Sequence, residues 1–288
     1  MGVSRYAKSL FILGDIGYLN LFLHRIVDNI GTIIQPSNKV ILVGDNFYDN
    51  KRFRDQGISS LTDSRWEKYI RIFENIGFEN IYSVMGNHDY EGDPLVQLNS
   101  PYIKNTEFYY KLPFSKTTDL FFIDTVQIYE NHCFIGKAHM KRILNEDNYN
   151  VLREKQLSWL NEELEKSTAK NKIVFGHYPM LSNGIYKAHL DPIKRQLLPI
   201  FKKHNVAAYI SGHEHNVQCI ERQYDDYKFR QFIVGSSSQY RINEHRNVVM
   251  GDLYDNSAHF YLRIVEDHDV LHFEFVNEND VLKYKFII

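Results

Sequence analysis

A run of β-forming residues, Val40-Ile41-Leu42-Val43, ends in Gly44 and is followed by Asp45 and, three residues later, Tyr48. A carboxylate at the end of a buried strand is unfavourable unless it is paired or coordinated. Asp45 can offer one oxygen to each of two ions, and Tyr48 can offer a phenolate to one of them. Four other apolar runs end the same way, in Gly14-Asp15, Gly86-Asn87-His88-Asp89, Gly176-His177 and Gly212-His213-Glu214-His215. The glycine allows a tight turn and a close approach to whatever the next residue binds. Singly, Gly-Asp and Gly-Asn are common turn pairs. Together the five ends collect more donors than one tetrahedral zinc ion uses. They suit two ions about 3.5–4 Å apart that share a carboxylate. Oxygen and imidazole donors without thiolate favour iron, manganese or zinc.

The segments between these ends alternate in periodicity. Leu19 to Ile30 carries apolar residues at helical spacing and Gly31 stops it, so the strands ending at Asp15 and Asp45 are expected to be parallel neighbours. Ser64-Arg65-Trp66-Glu67 has the form of a capping box for a helix to about Asn75. Glu91 to Thr106 reads as loop, and 131–150 shows no clean period. Val151 to Lys166 reads as amphipathic helix, and Asp191-Pro192 as N-cap and first turn of a helix ending near His204. From Val217 onward only short β runs follow. The pattern predicts a parallel central sheet with antiparallel strands added by the tail. Ligands in such sheets sit outside the carboxyl ends of the strands. No repeat or linker divides the chain, so residues 1–288 are expected to form a single domain.

The 288 residues can bury a sizeable core, which 20 Tyr and 19 Phe make unusually aromatic. Acidic and basic residues nearly cancel, for a net charge of −2. That speaks against a dedicated nucleic-acid surface. Cys133 and Cys219 are far apart and in no metal-binding spacing, although a pairing between them is open. No apolar run reaches the length of a membrane span. The first apolar run, Leu10 to Leu13, is too short for a signal-peptide core. The expectation is a monomeric, cytoplasmic protein, or a secreted or vacuolar one whose leader is absent.

In order along the chain, Gly14-Asp15-x-Gly17, Gly44-Asp45-x-x-Tyr48, Gly86-Asn87-His88-Asp89, Gly176-His177 and Gly212-His213-x-His215 resemble the five motifs of the calcineurin-like metallophosphoesterases. The Tyr48 spacing resembles the purple acid phosphatase branch, in its small tartrate-resistant form. The flanks Phe108 to Phe114, Phe122 to Thr125 and Gln156 to Leu160 are similar too. The resemblance implies an α/β fold, a β-sandwich of mixed sheets flanked by helices in four layers (α/β/β/α). It implies one ion on Asp15, Tyr48 and His215, another on Asn87, His177 and His213, and Asp45 as the bridge. The Tyr48 site would hold Fe(III) and the other Fe(II), Zn(II) or Mn(II). The implied activity is that of an acid phosphatase on phosphorylated small molecules or proteins. A hydroxide nucleophile would exist even in acid, and His88 would assist the leaving group, oriented by Asp89. A related enzyme on phosphoproteins or diesters, or a weakly catalytic scaffold, is the alternative. Of the other histidines only His189, in a stretch that the family lines with substrate contacts, is a candidate.

Overall fold

The computed structural model describes residues 8–48, 57–105, 107–129, 149–186, 190–241 and 248–288. In chain order they form β1 (Lys8–Leu13), α1 (Leu21–Ile33), β2 (Lys39–Val43), α2 (Arg65–Phe73), β3 (Ile81–Val84), α3 (Pro94–Leu98), β4 (Tyr110–Pro113), β5 (Thr118–Phe122) and α4 (Thr125–Ile128). Then come α5 (Tyr149–Lys166), β6 (Asn171–Phe175), α6 (Asp191–Lys203), β7 (Ala208–Ser211), β8 (Val217–Tyr224), β9 (Tyr227–Val234), β10 (Leu253–Asp255), β11 (Phe260–Asp267), β12 (Val270–Asn277) and β13 (Leu282–Ile287). Instead of one central sheet there are two, ordered β13-β12-β11-β1-β2-β3 and β10-β8-β9-β7-β6-β5-β4. Both are mixed. The parallel strands β1-β2-β3 and β5-β6-β7-β9 carry antiparallel neighbours.

Side-chain alternation explains why the β runs are apolar throughout. Leu10 and Ile12 of β1 face the core between the sheets, with Ile41, Phe122, Phe175 and Phe232. Phe11 and Leu13 face the other way, onto Leu23, Ile26, Val27 and Ile30 of α1 and Trp66, Tyr69 and Phe73 of α2. On the second sheet Phe121, Val174 and Tyr209 turn outward to meet Leu160 and Leu164 of α5 and Ile193, Leu197 and Phe201 of α6. Strands covered on both faces need no polar alternation. The result is the expected four-layer sandwich.

Local chemistry places the helices. Asn20 caps α1, its Oδ1 accepting from the N–H groups of Phe22 and Leu23 at 3.2 and 3.1 Å. The capping box expected at Ser64 does not form. Ser64 is itself helical, at φ −62° and ψ −16°, and makes no side-chain cap bond. Asp63, one residue earlier, accepts instead from the Arg65 N–H and Nε, both at 2.9 Å. A carboxylate is the stronger acceptor, and it takes up one of the first donors of the helix. At α6 the boundary also moves by one residue, with Leu190 at the cap and Asp191-Pro192 as the first two helical residues. Asp93 and Pro94 open the short α3 inside the stretch read as loop. Cys219 is free and buried, whereas Cys133 and 131–148 lie outside the described residues.

Register then brings the functional ends together. Leu13 pairs with Leu42 and Val43 with Val84, so the Gly-Asp ends of β1 and β2 emerge beside Gly86-Asn87-His88. Phe175 pairs with Ile210, which places Gly176-His177 beside Gly212-His213.

Candidate metal centre

Backbone bonds tie these ends to one another. The Asp15 N–H donates to Gly44 O at 3.1 Å, and the Gly212 N–H to His177 O at 3.1 Å. Asp15, Asp45 and His213 hold left-handed backbone, at φ 55°, 54° and 73°. Such conformations are unfavourable for side-chain-bearing residues and persist where surroundings impose them, often at functional sites. Gly86 provides one imposing surface. A Cβ there would lie 2.1 Å from Asp45 Oδ1 and 2.3 Å from the Asp45 nitrogen.

The sequence-predicted donors meet at this junction of the two sheets. Tyr48 Oη is 3.2 Å from Asp15 Oδ1 and 3.2 Å from Asp45 Oδ2, and 3.5 Å from His215 Nε2. His215 Nε2 is also 3.5 Å from Asp15 Oδ1. The second Asp15 oxygen accepts from the His213 N–H at 2.8 Å. His177 Nε2 lies 3.4 Å from Asp45 Oδ1 and 3.2 Å from Asn87 Oδ1, while its Nδ1 meets Val43 O at 2.9 Å. That carbonyl can only accept, so Nδ1 carries a proton and Nε2 is the atom aimed at the carboxylate. Metal-binding histidines are oriented in this way. The His213 ring packs on His177, with centroids 5.2 Å apart. All seven residues, Asp15, Asp45, Tyr48, Asn87, His177, His213 and His215, are buried.

His88 sits at the rim, 23% exposed, with Nε2 3.8 Å from Asp45 Oδ2 and its backbone N–H on Asp45 Oδ1 at 2.9 Å. Asp89 does not take the orienting position expected of it. Its carboxylate turns inward and accepts from the N–H groups of Gly86 (2.8 Å) and Asn46 (3.0 Å) and from Gln97 Nε2 (2.7 Å). The carboxylate that reaches His88 Nδ1 is Glu91's, at 3.4 Å. His189 lies outside the described residues. Thr125 was also not singled out. Its Oγ1 accepts from the N–H groups of His177 and Tyr178, at 3.1 and 2.8 Å, and so sets the His177 turn.

The electrostatics are those of a crowded charge cluster. Burial pushes the Asp15 carboxyl up to about 8, assisted by Asp45 and opposed by His177. Burial also opposes charge on Asp45, but His177 and His88 together hold it below the usual carboxylate range. Burial works against a charged His177 too, and Asp45 overrides it, raising the imidazole to about 9. Burial, reinforced by His177, keeps His213 well below its ordinary value, and burial with Arg241 brings His215 down to about 3. Neutral imidazoles and close carboxylates are the forms that ligate a cation. Donor atoms of Asp15, Asp45 and His177 all lie within 4.8 Å of one another. The residues present therefore fit a metal centre.

Comparison with known proteins agrees with this geometry. The sequence pattern of the calcineurin-like phosphoesterases matches residues 9–217. The chain belongs to the calcineurin-like phosphoesterase family. Among curated relatives of this family it is 33% identical to Purple acid phosphatase 3 of Arabidopsis thaliana over 194 residues, 63% of this chain and 49% of that one. It is 28% identical to Tartrate-resistant acid phosphatase type 5 of Oryctolagus cuniculus over 206 residues, 67% of this chain and 60% of the relative. It thus spans about half to two thirds of such relatives. Among solved structures of the fold it superposes on GAP50, described as the anchor in the inner membrane complex of Plasmodium, with a TM-score of 0.74. That match has 20% identity and covers 97% of this chain and 88% of the other.

Proposed function

We propose that this calcineurin-like phosphoesterase is a metal-dependent acid phosphatase acting on phosphomonoesters. The observation that carries the reading is the convergence of Asp15, Asp45 and His177 within 4.8 Å, with Tyr48 Oη at 3.2 Å from both carboxylates. Asp15, Tyr48 and His215 would hold one ion, Asn87, His177 and His213 the other, with Asp45 between them. A bound pair would supply Lewis acidity, lowering the pKa of a water and offsetting the phosphate's charge. Iron at the Tyr48 position follows from the phenol donor.

The chain's own residues do the rest. Burial of the donors keeps bulk water out of the reacting geometry and strengthens every charge contact there. His88, half-buried at the rim and held at Nδ1 by Glu91, is placed to meet a phosphate oxygen and to pass a proton from Nε2 to the departing alcohol. The Val43 carbonyl keeps the His177 proton on Nδ1, away from the centre. The substrate is a phosphorylated small molecule or protein. A scaffold role, of the kind described for the Plasmodium anchor, is disfavoured by the presence of all seven donor residues.

The test is hydrolysis of p-nitrophenyl phosphate from pH 4 to 9 after iron and zinc reconstitution, with wild type beside Asp45→Asn. An acid optimum that vanishes in the variant supports the reading. An optimum near neutrality replaces the Fe(III) assignment with a divalent pair. Absence of turnover with metals bound would favour the scaffold.

A further inference from the structure

Strand β9 also ends in a glycine, but Gly235 is followed by Ser236-Ser237-Ser238 in place of a carboxylate or an imidazole. All four residues are buried. Ser237 meets both backbone groups of Gly14. The Gly14 N–H donates to Ser237 Oγ at 3.1 Å, and the Ser237 N–H donates to Gly14 O at 3.3 Å. The same hydroxyl donates to Phe260 O, at the start of β11, at 2.8 Å. Ser238 Oγ donates to Asp15 O at 2.5 Å, and Ser238 O accepts at 2.7 Å from Nδ2 of Asn20, the cap of α1. The turn that ends β1 is thus fastened, through its backbone, to the end of a strand of the other sheet.

This fastening bears on the three donors assigned to the Tyr48 ion. Asp15 is held directly. Its turn leads into Gly17, whose carbonyl accepts from the Tyr48 N–H at 3.0 Å. Gly235 lies so close to the third donor that a Cβ there would be 2.9 Å from the His215 nitrogen and 3.1 Å from Asp15 Oδ2. His177, assigned to the second ion, is set from elsewhere, by Thr125 Oγ1 on its N–H at 3.1 Å and by Val43 O on its Nδ1 at 2.9 Å. Asp15 needs such support, because its φ of 55° is unfavourable for an aspartate and persists only where neighbours impose it. Groups that hold a ligand residue in place govern metal affinity almost as strongly as the ligands do. We infer that Ser238, together with Ser237, is a positioning residue for the Asp15–Tyr48–His215 ion and sets its affinity separately from that of the second ion. Ser236 provides an internal comparison. It is equally buried, but its hydroxyl meets no hydrogen-bond partner among the described residues. The proposal rests on the donor assignment above and not on turnover.

The test is stepwise zinc binding in competition with a chromophoric chelator, in wild type, Tyr48→Phe, Ser238→Ala, Ser238→Thr, Ser236→Ala and Thr125→Ala. Tyr48→Phe identifies the step that belongs to the Tyr48 ion. Ser238→Ala should weaken that same step about 10–100-fold and leave the other step unchanged. Ser238→Thr keeps the hydroxyl and should keep most of the affinity. Ser236→Ala should alter neither step, and Thr125→Ala should weaken the other one. Urea unfolding of the metal-free proteins checks that each variant folds. Ser237→Ala, which removes the hydroxyl on Gly14, carries the same expectation should Ser238→Ala not fold. An equal fall in both steps, or Ser238→Ala behaving like Ser236→Ala, overturns the proposal, since a merely structural loss would not choose between the ions. If wild type binds no ion, or Tyr48→Phe weakens no step, the donor assignment fails and the proposal with it. If Tyr48→Phe weakens one step and Ser238→Ala weakens neither, the proposal alone fails.

Discussion

His177 and Asp45 face each other from different sheets, with Nε2 3.4 Å from Oδ1, although 132 positions separate β2's end from β6's in the chain. The Val43 carbonyl on His177 Nδ1 fixes which nitrogen looks at the carboxylate. The two sheets must therefore be packed in register before the centre exists. His177→Ala should remove one donor set and leave the other. Elemental analysis should find about one bound ion per chain instead of two, with turnover down about a hundredfold or more, since even outer-shell changes at metal sites cost 10–100-fold. Two ions retained at full occupancy would refute the assignment.

Tyr48→Phe removes only the hydroxyl that stands 3.2 Å from both carboxylates. The ring keeps its packing on Tyr18, 4.8 Å away, so the fold should persist. If Fe(III) occupies this position, the iron-loaded wild type should absorb in the visible through tyrosinate charge transfer and the variant should be bleached. Equal spectra would place the phenol off the metal.

Gly86→Ala places a Cβ where Asp45 Oδ1 and the Asp45 nitrogen already are, at 2.1 and 2.3 Å. Backbone cannot yield as a flexible side chain can. Overpacking of this kind costs about 1–3 kcal/mol, and here it would also displace the Asp45 carboxylate. Denaturant unfolding should show the loss of stability, and activity should fall more than tenfold. A variant as active as wild type would mean that Asp45 is not held by this contact.

Asp124 offers a pH dependence remote from the donors. It caps α4 through the N–H groups of Val126 and Gln127, at 2.9 and 3.1 Å, and accepts from Tyr90 Oη at 2.5 Å. Burial pushes its carboxyl up to about 7 despite these bonds. The folded chain then keeps a proton that the unfolded chain releases near pH 4, so stability from this group is complete in acid and is lost as pH rises to 7. At 1.36 kcal/mol per pH unit the change is about 4 kcal/mol. Asp124→Asn should flatten that slope in urea unfolding between pH 4 and 7, and parallel slopes in the two proteins would contradict it.

The sequence alone determined the parts whose cause is local. Apolar runs broken by Gly and a polar residue marked the ends of β1, β2, β3, β6 and β7, because a buried strand is continuous in hydrophobicity and its end is where a turn must form. The buried polar side chains that converge from those ends, Asp15, Asp45, Tyr48, Asn87, His177, His213 and His215, were legible for the same reason. Only the tertiary structure decided what depends on strand order and register. The division into two sheets could not be read from periodicity, because β strands carry the same apolar signal in either sheet, and was implied only by the family resemblance. The left-handed backbone of Asp15, Asp45 and His213 leaves no compositional mark, since non-glycine residues hold it only when neighbours impose it. Asp89 and Glu91 are two positions apart, and both could have served His88. The turn that buries Asp89 under Gly86 and Asn46 left that place to Glu91. Local chemistry names the donors, but only packing, which is non-local, sets the distances between them.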